Sequence, residues 1–259
     1  MNIPLGIPNC ITLVLMMGFI TCGAEVFSEK EVKLQLSCQK ADHVLDEPIW
    51  ATLSITNETN SIVEFTIGNG SEDSYTFAVS NATTGSFGML DPYFPFGGLT
   101  QRQRLRPGKV FSREILLTEY IWFKKPGKYN VQCNIKFPML SKEHAVMVSP
   151  LPEMEVVISR DENRLIDILR EISESAKNSN PQVRTRAVRS LASVRNPLAL
   201  QFFLEPLEDN DAAVVEEALR GISRIGGPEA IKLLSQYAKK HDGTRLGKLS
   251  TGLINKNQR

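Results

Sequence analysis

The chain has 259 residues, 42% of them hydrophobic, and its 30 Lys and Arg against 29 Asp and Glu leave a net charge of +1. That length holds two cores of ordinary size. The near-neutral balance excludes the electrostatic footprint of a nucleic-acid binder, even though residues 25–158 carry 13 basic against 16 acidic side chains and residues 159–259 carry 17 against 13.

Taken in order, Ile11–Ile20 is a continuous apolar run, too short to span a bilayer and of the length of a signal-peptide core. Cys22 and Ala24 supply small residues for a cut before Glu25, although Met1–Asn9 holds no Lys or Arg. The expectation is a signal peptide over 1–24 and an exported mature chain without a membrane span. The alternatives are a buried N-terminal strand, or a lipid anchor on Cys22, for which Phe19-Ile20-Thr21 lacks the usual small residue.

From Val32 to Ile158 the apolar period is two. The alternation predicts strands at Val32–Cys38, Ile49–Ile55, Val63–Ile67, Tyr75–Val79, Phe111–Leu117, Tyr129–Ile135 and Met154–Ile158, with Gly, Pro, Asn and Asp turns between them. Seven short strands at this spacing read as an antiparallel β-sandwich over 25–159. Cys38 and Cys133 both fall on inward positions. In an oxidising compartment they would bridge the two layers; the other reading is two unpaired buried thiols. The run Pro126-Gly127-Lys128-Tyr129 resembles the entry to the sixth strand of immunoglobulin-like domains, with Cys133 four residues after the tyrosine rather than two.

Residues 85–106 break the rhythm. Tyr93, Phe94 and Phe96 sit among Gly and Pro, followed by Arg102, Arg104 and Arg106. A long irregular stretch with this composition reads as a binding loop, or as a lid folded back on the protein.

Beyond Arg160 the period becomes helical. Leu165, Ile168, Leu169 and Ile172 mark one helix; Leu246, Leu249 and Leu253 mark a last one that reaches Ile254 and frays over Asn255–Arg259. Between them the chain repeats itself at a shift of 31: Val183, Ala187, Leu191, Val194, Pro197, Ala199, Leu200 and Phe203 coincide with Val214, Ala218, Ile222, Ile225, Pro228, Ala230, Ile231 and Leu234. Asn180-Pro181 and Asn196-Pro197 each place an N-cap before a first-turn proline, and Asp211 and Gly227-Pro228 hold the same places one repeat later. Each unit reads as two short antiparallel helices, making six in three stacked pairs, since one pair cannot bury its own apolar face.

Pro181–Leu191 with Asn196-Pro197 and Ala199, and its second copy Asp211–Leu234 with Gly226-Gly227-Pro228-Glu229-Ala230, resemble HEAT-like repeats of the phycobilisome-lyase type; Val215 stands where that pattern prefers Arg. The resemblance implies a short α-solenoid over 160–259 and a binding or scaffolding role. It also makes a lyase-type enzyme subunit one alternative. Of the arginines in the first repeat only Arg189 recurs, as Arg220, which would align the two on neighbouring repeats as a stripe for an acidic partner.

No motif carries catalysis. His43, His144 and His241 stand apart in polar, turn-like settings, and no zinc, serine-hydrolase or cysteine-protease pattern accompanies them. Gly68-Asn69-Gly70 reads as a hairpin turn and Asp211 as a cap rather than a calcium ligand. Glu171, Glu174, Glu216 and Glu217 read as solvated faces. Asn57, Asn69 and Asn81 head formal glycosylation sequons. The expectation is a two-domain, non-enzymatic, exported binding protein without cofactor or metal, whose partner is a protein or peptide. A second alternative is a protease inhibitor presenting loop 85–106.

Overall fold

A computed structural model describes residues 32–67, 75–81, 101–135 and 153–257. The first three of these segments, with Glu153–Ser159, form strands; the remainder is helical. The strands are β1 (Val32–Cys38), β2 (Asp42–Val44), β3 (Trp50–Asn57), β4 (Val63–Ile67), β5 (Tyr75–Asn81), β6 (Gln101–Leu105), β7 (Val110–Leu116), β8 (Gly127–Ile135) and β9 (Glu153–Ser159). They lie in three sheets, ordered β1-β3-β7, β2-β9-β8-β5 and β4-β6. All pairings are antiparallel except β2 with β9.

The alternation read from the sequence is the alternation of burial. Val32, Leu34 and Leu36 of β1, Ala51, Leu53 and Ile55 of β3, and Met154, Val156 and Ile158 of β9 all point into one core shared by the three sheets. Two strands carry no such signal. β6 occupies 101–105, inside the stretch expected to be irregular, and β2 is only three residues long, with register set by β9 far along the chain. β2 also supplies Val44 to the helical core, beside Leu165 and Leu169.

Two expectations are corrected within this region, the Cys38–Cys133 bridge and the setting of His43. Cys38 and Cys133 are both free. The Cys38 thiol turns to Met154, with Sγ 3.0 Å from Sδ, and burial raises it above its ordinary value. Cys133 lies fully inside the core, where burial pushes it up to about 12. Asn57 is 0% exposed. Its Nδ2 donates to the carbonyls of Ser61 and Leu105, both at 2.8 Å, and Oδ1 accepts from Thr59, so the amide of this formal sequon pins a turn. His43 is buried rather than superficial: Nδ1 lies 3.1 Å from Glu47 Oε1 and Nε2 3.1 Å from the Lys40 carbonyl.

Glu47 is 4% exposed and also accepts from Lys40 Nζ and from the Val44 amide. Burial alone would raise its carboxyl, but the hydrogen bonds from His43, Lys40 and Val44 outweigh it and hold the group below its ordinary value of 4.5. A folded value below the unfolded one gives stability that is fully present above about pH 4.5 and is lost as the pH falls through the folded value. Glu47→Gln is therefore expected to flatten the acid limb of the stability–pH curve. An acid limb as steep as that of the unaltered chain would contradict this.

The helices are α1 (Glu162–Ser175), α2 (Pro181–Ala192), α3 (Ala212–Ile225), α4 (Gly227–Lys240) and α5 (Arg245–Asn257). Their starts are capped where the sequence places the caps. Asp161, Asn180 and Asp211 accept from the amides of Arg164, Gln182 and Ala213. The sixth helix is corrected: Pro197–Phe203 is 3-10, followed by a 3-10 turn at Pro206–Glu208. The last helix runs on to Asn257, because that amide donates to the carbonyl and hydroxyl of Ser223 on α3.

The shift of 31 is repeated in the packing. Ala187 and Ala218, Leu191 and Ile222, Ala199 and Ala230, and Phe203 and Leu234 are buried in pairs, while Pro197 and Pro228 are both exposed. Two pairs differ: Val183 is 39% exposed where Val214 is 0%, and Val194 is fully buried where Ile225 is only partly so. α3 is surrounded by α2, α4 and α5; α2 has only α1 and α3 beside it among the α-helices, so its first turn is left in water.

Candidate interaction surface

The helices meet the sheets along one face of α2. Arg186, Arg189, Ser190 and Ser193 recur on it at spacings of three, one and three, a polar stripe beside the apolar one. The Trp50 indole N–H on β3 donates to Ser190 Oγ at 3.0 Å, and the Arg186 guanidinium lies 4.2 Å from the centre of the same ring. Thr118 Oγ1, in the 3-10 turn after β7, donates to Ser193 Oγ at 2.9 Å. Asn196 donates to Asp46.

The arginines of this stripe bind β7 and the 3-10 turn that follows it. Arg186 forks onto Glu114 of β7, which lowers that carboxyl, the hydrogen bonds being the main cause. Arg189 forks onto Glu119, with Nε to Oε1 at 2.7 Å, and the Glu119 side chain is 3% exposed. This hydrogen bonding raises Arg189 above its already high ordinary value. Behind the pair sits Glu217 of α3, raised by burial and then by Glu119, against the opposing pull of Arg189, Arg224 and Arg220. Arg184 spans Asp209 with two hydrogen bonds, at 2.8 and 3.1 Å, and ties the first repeat to the turn that opens the second.

The structure thus places the expected site residues as follows. Arg189 reaches Glu119 in the 3-10 turn after β7, while Arg220 bonds Glu216 of its own helix at 2.7 Å, so the two are not parallel members of a stripe. Glu216 also takes Arg245 at 2.8 Å. Neither Glu216 nor Glu217 is a freely solvated side chain. Arg102 and Arg104 stand exposed on β6, and both are paired with Glu64 of β4. Tyr93, Phe94, Phe96 and His144 lie outside the described residues, as does the signal-peptide region. Sequence reasoning missed Trp50 and Glu119; the Ser190–Ser193 spacing beside two arginines was the available signal for a helix face turned toward polar partners.

Beside this junction an open groove of about 420 Å3 runs between Trp50 and the first turns of α2 and α3, edged by Gln182, Thr185, Arg189 and Ala213. Its floor is an aromatic ring with a guanidinium over it, and its walls are helix starts. No group of three or more His, Cys, Asp or Glu comes together to hold a metal among the described residues. No described helix is long and apolar enough to cross a membrane.

A family model for HEAT repeats matches residues 165–248. The C-terminal region is accordingly a HEAT-like helical region, following strands arranged in antiparallel sheets. No curated protein sequence matches the chain. Among solved structures, a β-glucosidase from Erythrobacter marinus is 10% identical, matching 48% of this chain and 15% of its own, at a TM-score of 0.27. The Pseudomonas fluorescens alkylpurine DNA glycosylase AlkC is 13% identical over 51% of this chain and 31% of its own, at 0.26. A PapD-like domain of human CEP192 is 10% identical over 60% of this chain and 96% of its own, at 0.20. The chain spans less than a third of the first two. At TM-scores this low these likenesses assign neither a fold nor an activity.

Proposed function

We propose that the protein is an exported, non-enzymatic scaffold that binds a protein or peptide on its HEAT-like surface. In this reading residues 25–159 form an Ig-like sandwich, residues 160–259 a short solenoid, and the first serves as the platform on which the second is mounted. The observation that carries it is the use of α2: one face packs in the repeat, another is clamped to the sheets through Trp50, Glu114 and Glu119, and the groove is left along its start. A surface held this firmly loses little conformational entropy on binding. Export rests on the apolar run Ile11–Ile20 and the small residues before Glu25.

The lyase-type alternative requires a reactive cluster among the helices. The one histidine there, His241, is stacked on Tyr237 with ring centroids 4.2 Å apart, which is a packing role. The test is a photo-crosslinking amino acid placed in the full chain at Gln182, Thr185 or Ala213, with Lys239 of α4 as the control position. The same protein adduct is expected from the groove positions and not from Lys239. Adducts from no position, or equally from all of them, would overturn the reading.

A further inference from the structure

At the opposite end of α2 from the groove, the segment after the 3-10 turn that follows β7 buries Ile121 and Phe123 and leaves Trp122 between them 38% exposed. Two cations flank that ring: Arg195 Cζ is 4.8 Å from its centre and Lys124 Nζ 4.9 Å. Arg195 differs from its neighbours. Arg184, Arg186, Arg189 and Arg220 each hold a carboxylate. The Arg195 guanidinium, half-buried, makes no ion pair or hydrogen bond among the described residues. Burial and then the Arg224 charge act against its protonated form, and only Asp46, already accepting from Asn196, acts for it. Lys124 and the adjoining Lys125 are exposed and likewise have no acidic partner among the described residues.

A guanidinium held over an exposed tryptophan, with Lys124 at the same ring and Lys125 next in the chain, has no carboxylate bonded to it among the described residues. We propose that the Trp122–Arg195–Lys124 corner docks an acidic segment of a partner protein. The proposal rests on the protein-binding reading and names where and what chemistry it uses. Contact with the ring holds the guanidinium in place, so its fork meets a carboxylate at a smaller cost in side-chain freedom. The tryptophan offers the apolar plate of a binding hot spot. Two cations on one ring, with Lys125 next in the chain, suit a few carboxylates; they are too few for a nucleic-acid backbone or an anionic lipid surface.

The probe is a fluorescein-labelled peptide of alternating Asp and Glu, titrated against the full chain by anisotropy, with an Asn/Gln peptide of equal length as the neutral control. The acidic peptide is expected to bind and the neutral one not. Arg195→Glu, Lys124→Glu and Trp122→Ala are each expected to weaken binding at least about tenfold. Lys232→Glu, the same charge change on α4, is expected to leave it unaltered. Lys124 is exposed, so its variant keeps the test valid should the Arg195 variant unfold. Failure of the unaltered chain to bind, equal weakening by Lys232→Glu, unchanged binding in the Lys124 variant, or preferential binding of phosphatidylserine vesicles would each overturn the inference. If the groove still yields its cross-linked adduct when the peptide is ignored, this inference alone falls; if both are lost, so is the protein-binding reading.

Discussion

Arg189→Ala is expected to destabilise the protein by about 3–5 kcal/mol, because it strands a buried carboxylate. Glu119 is almost fully covered, and its two oxygens are met by the Arg189 fork. Without that fork the charge remains in a poorly solvated place beside Glu217, which is already raised by burial and by Glu119 itself. Removing Arg189 takes away a cation that opposes this shift, so Glu217 is pushed further up. Replacing both members, Arg189→Met with Glu119→Leu, is expected to recover most of the loss, since the cost of a buried pair lies mainly in breaking it. Arg170→Ala gives the contrast. Its pair with Asp167 is exposed on both sides, and such pairs are worth about 0–1 kcal/mol. Urea unfolding of the four proteins decides the matter. An Arg189→Ala chain within about 0.5 kcal/mol of the unaltered one would mean that the junction between sheets and helices is not held here.

Two glycines in helices are expected to respond to alanine with opposite signs. At Gly221 in α3 an added Cβ would stand 2.6 Å from Phe203 Cζ and 2.8 Å from Ala192 Cα, inside contact distance on both sides. Phe203 is fully buried and Ala192 Cα is backbone of α2, so neither has room to yield. Gly221→Ala is expected to cost about 1–3 kcal/mol through overpacking, net of the gain in helix propensity, and Gly221→Val more. At Gly252 in α5 nothing lies within 4 Å of the added atom, and alanine is expected to stabilise by about 0.5–1 kcal/mol. The propensity gain is common to both sites, so the difference in melting temperature isolates the close approach of α3 to α2. A gain at both positions would show that α2 and α3 are not packed this tightly. Gly221 stands 31 residues after Ser190, so the repeat keeps a small residue at one register. In the first copy that position admits Trp50 from the sheet, and in the second it admits Phe203 from the preceding turn.

That shared position marks how far the sequence could be read. Alternating residues such as Val32, Leu34 and Leu36 determined which strand faces turn inward, and the shift of 31 determined the helical register down to its caps at Asn180 and Asp211. These are local properties: a period of two or of 3.6 is written into adjacent residues and needs no knowledge of the partner. What each face meets is not local. β2 is specified by β9, more than a hundred residues away; Arg189 is specified by Glu119, and Cys38 turned to Met154 instead of Cys133. Only the tertiary structure decided that Arg189, expected to wait for a partner, is bound to Glu119 in the turn after β7 and Arg220 to Glu216 of its own helix, while Arg195 is left beside Trp122 without an ion pair. The reason is that a charged side chain on a helix carries no mark of its distant counter-charge until the chain has folded and burial has priced every unpaired ion.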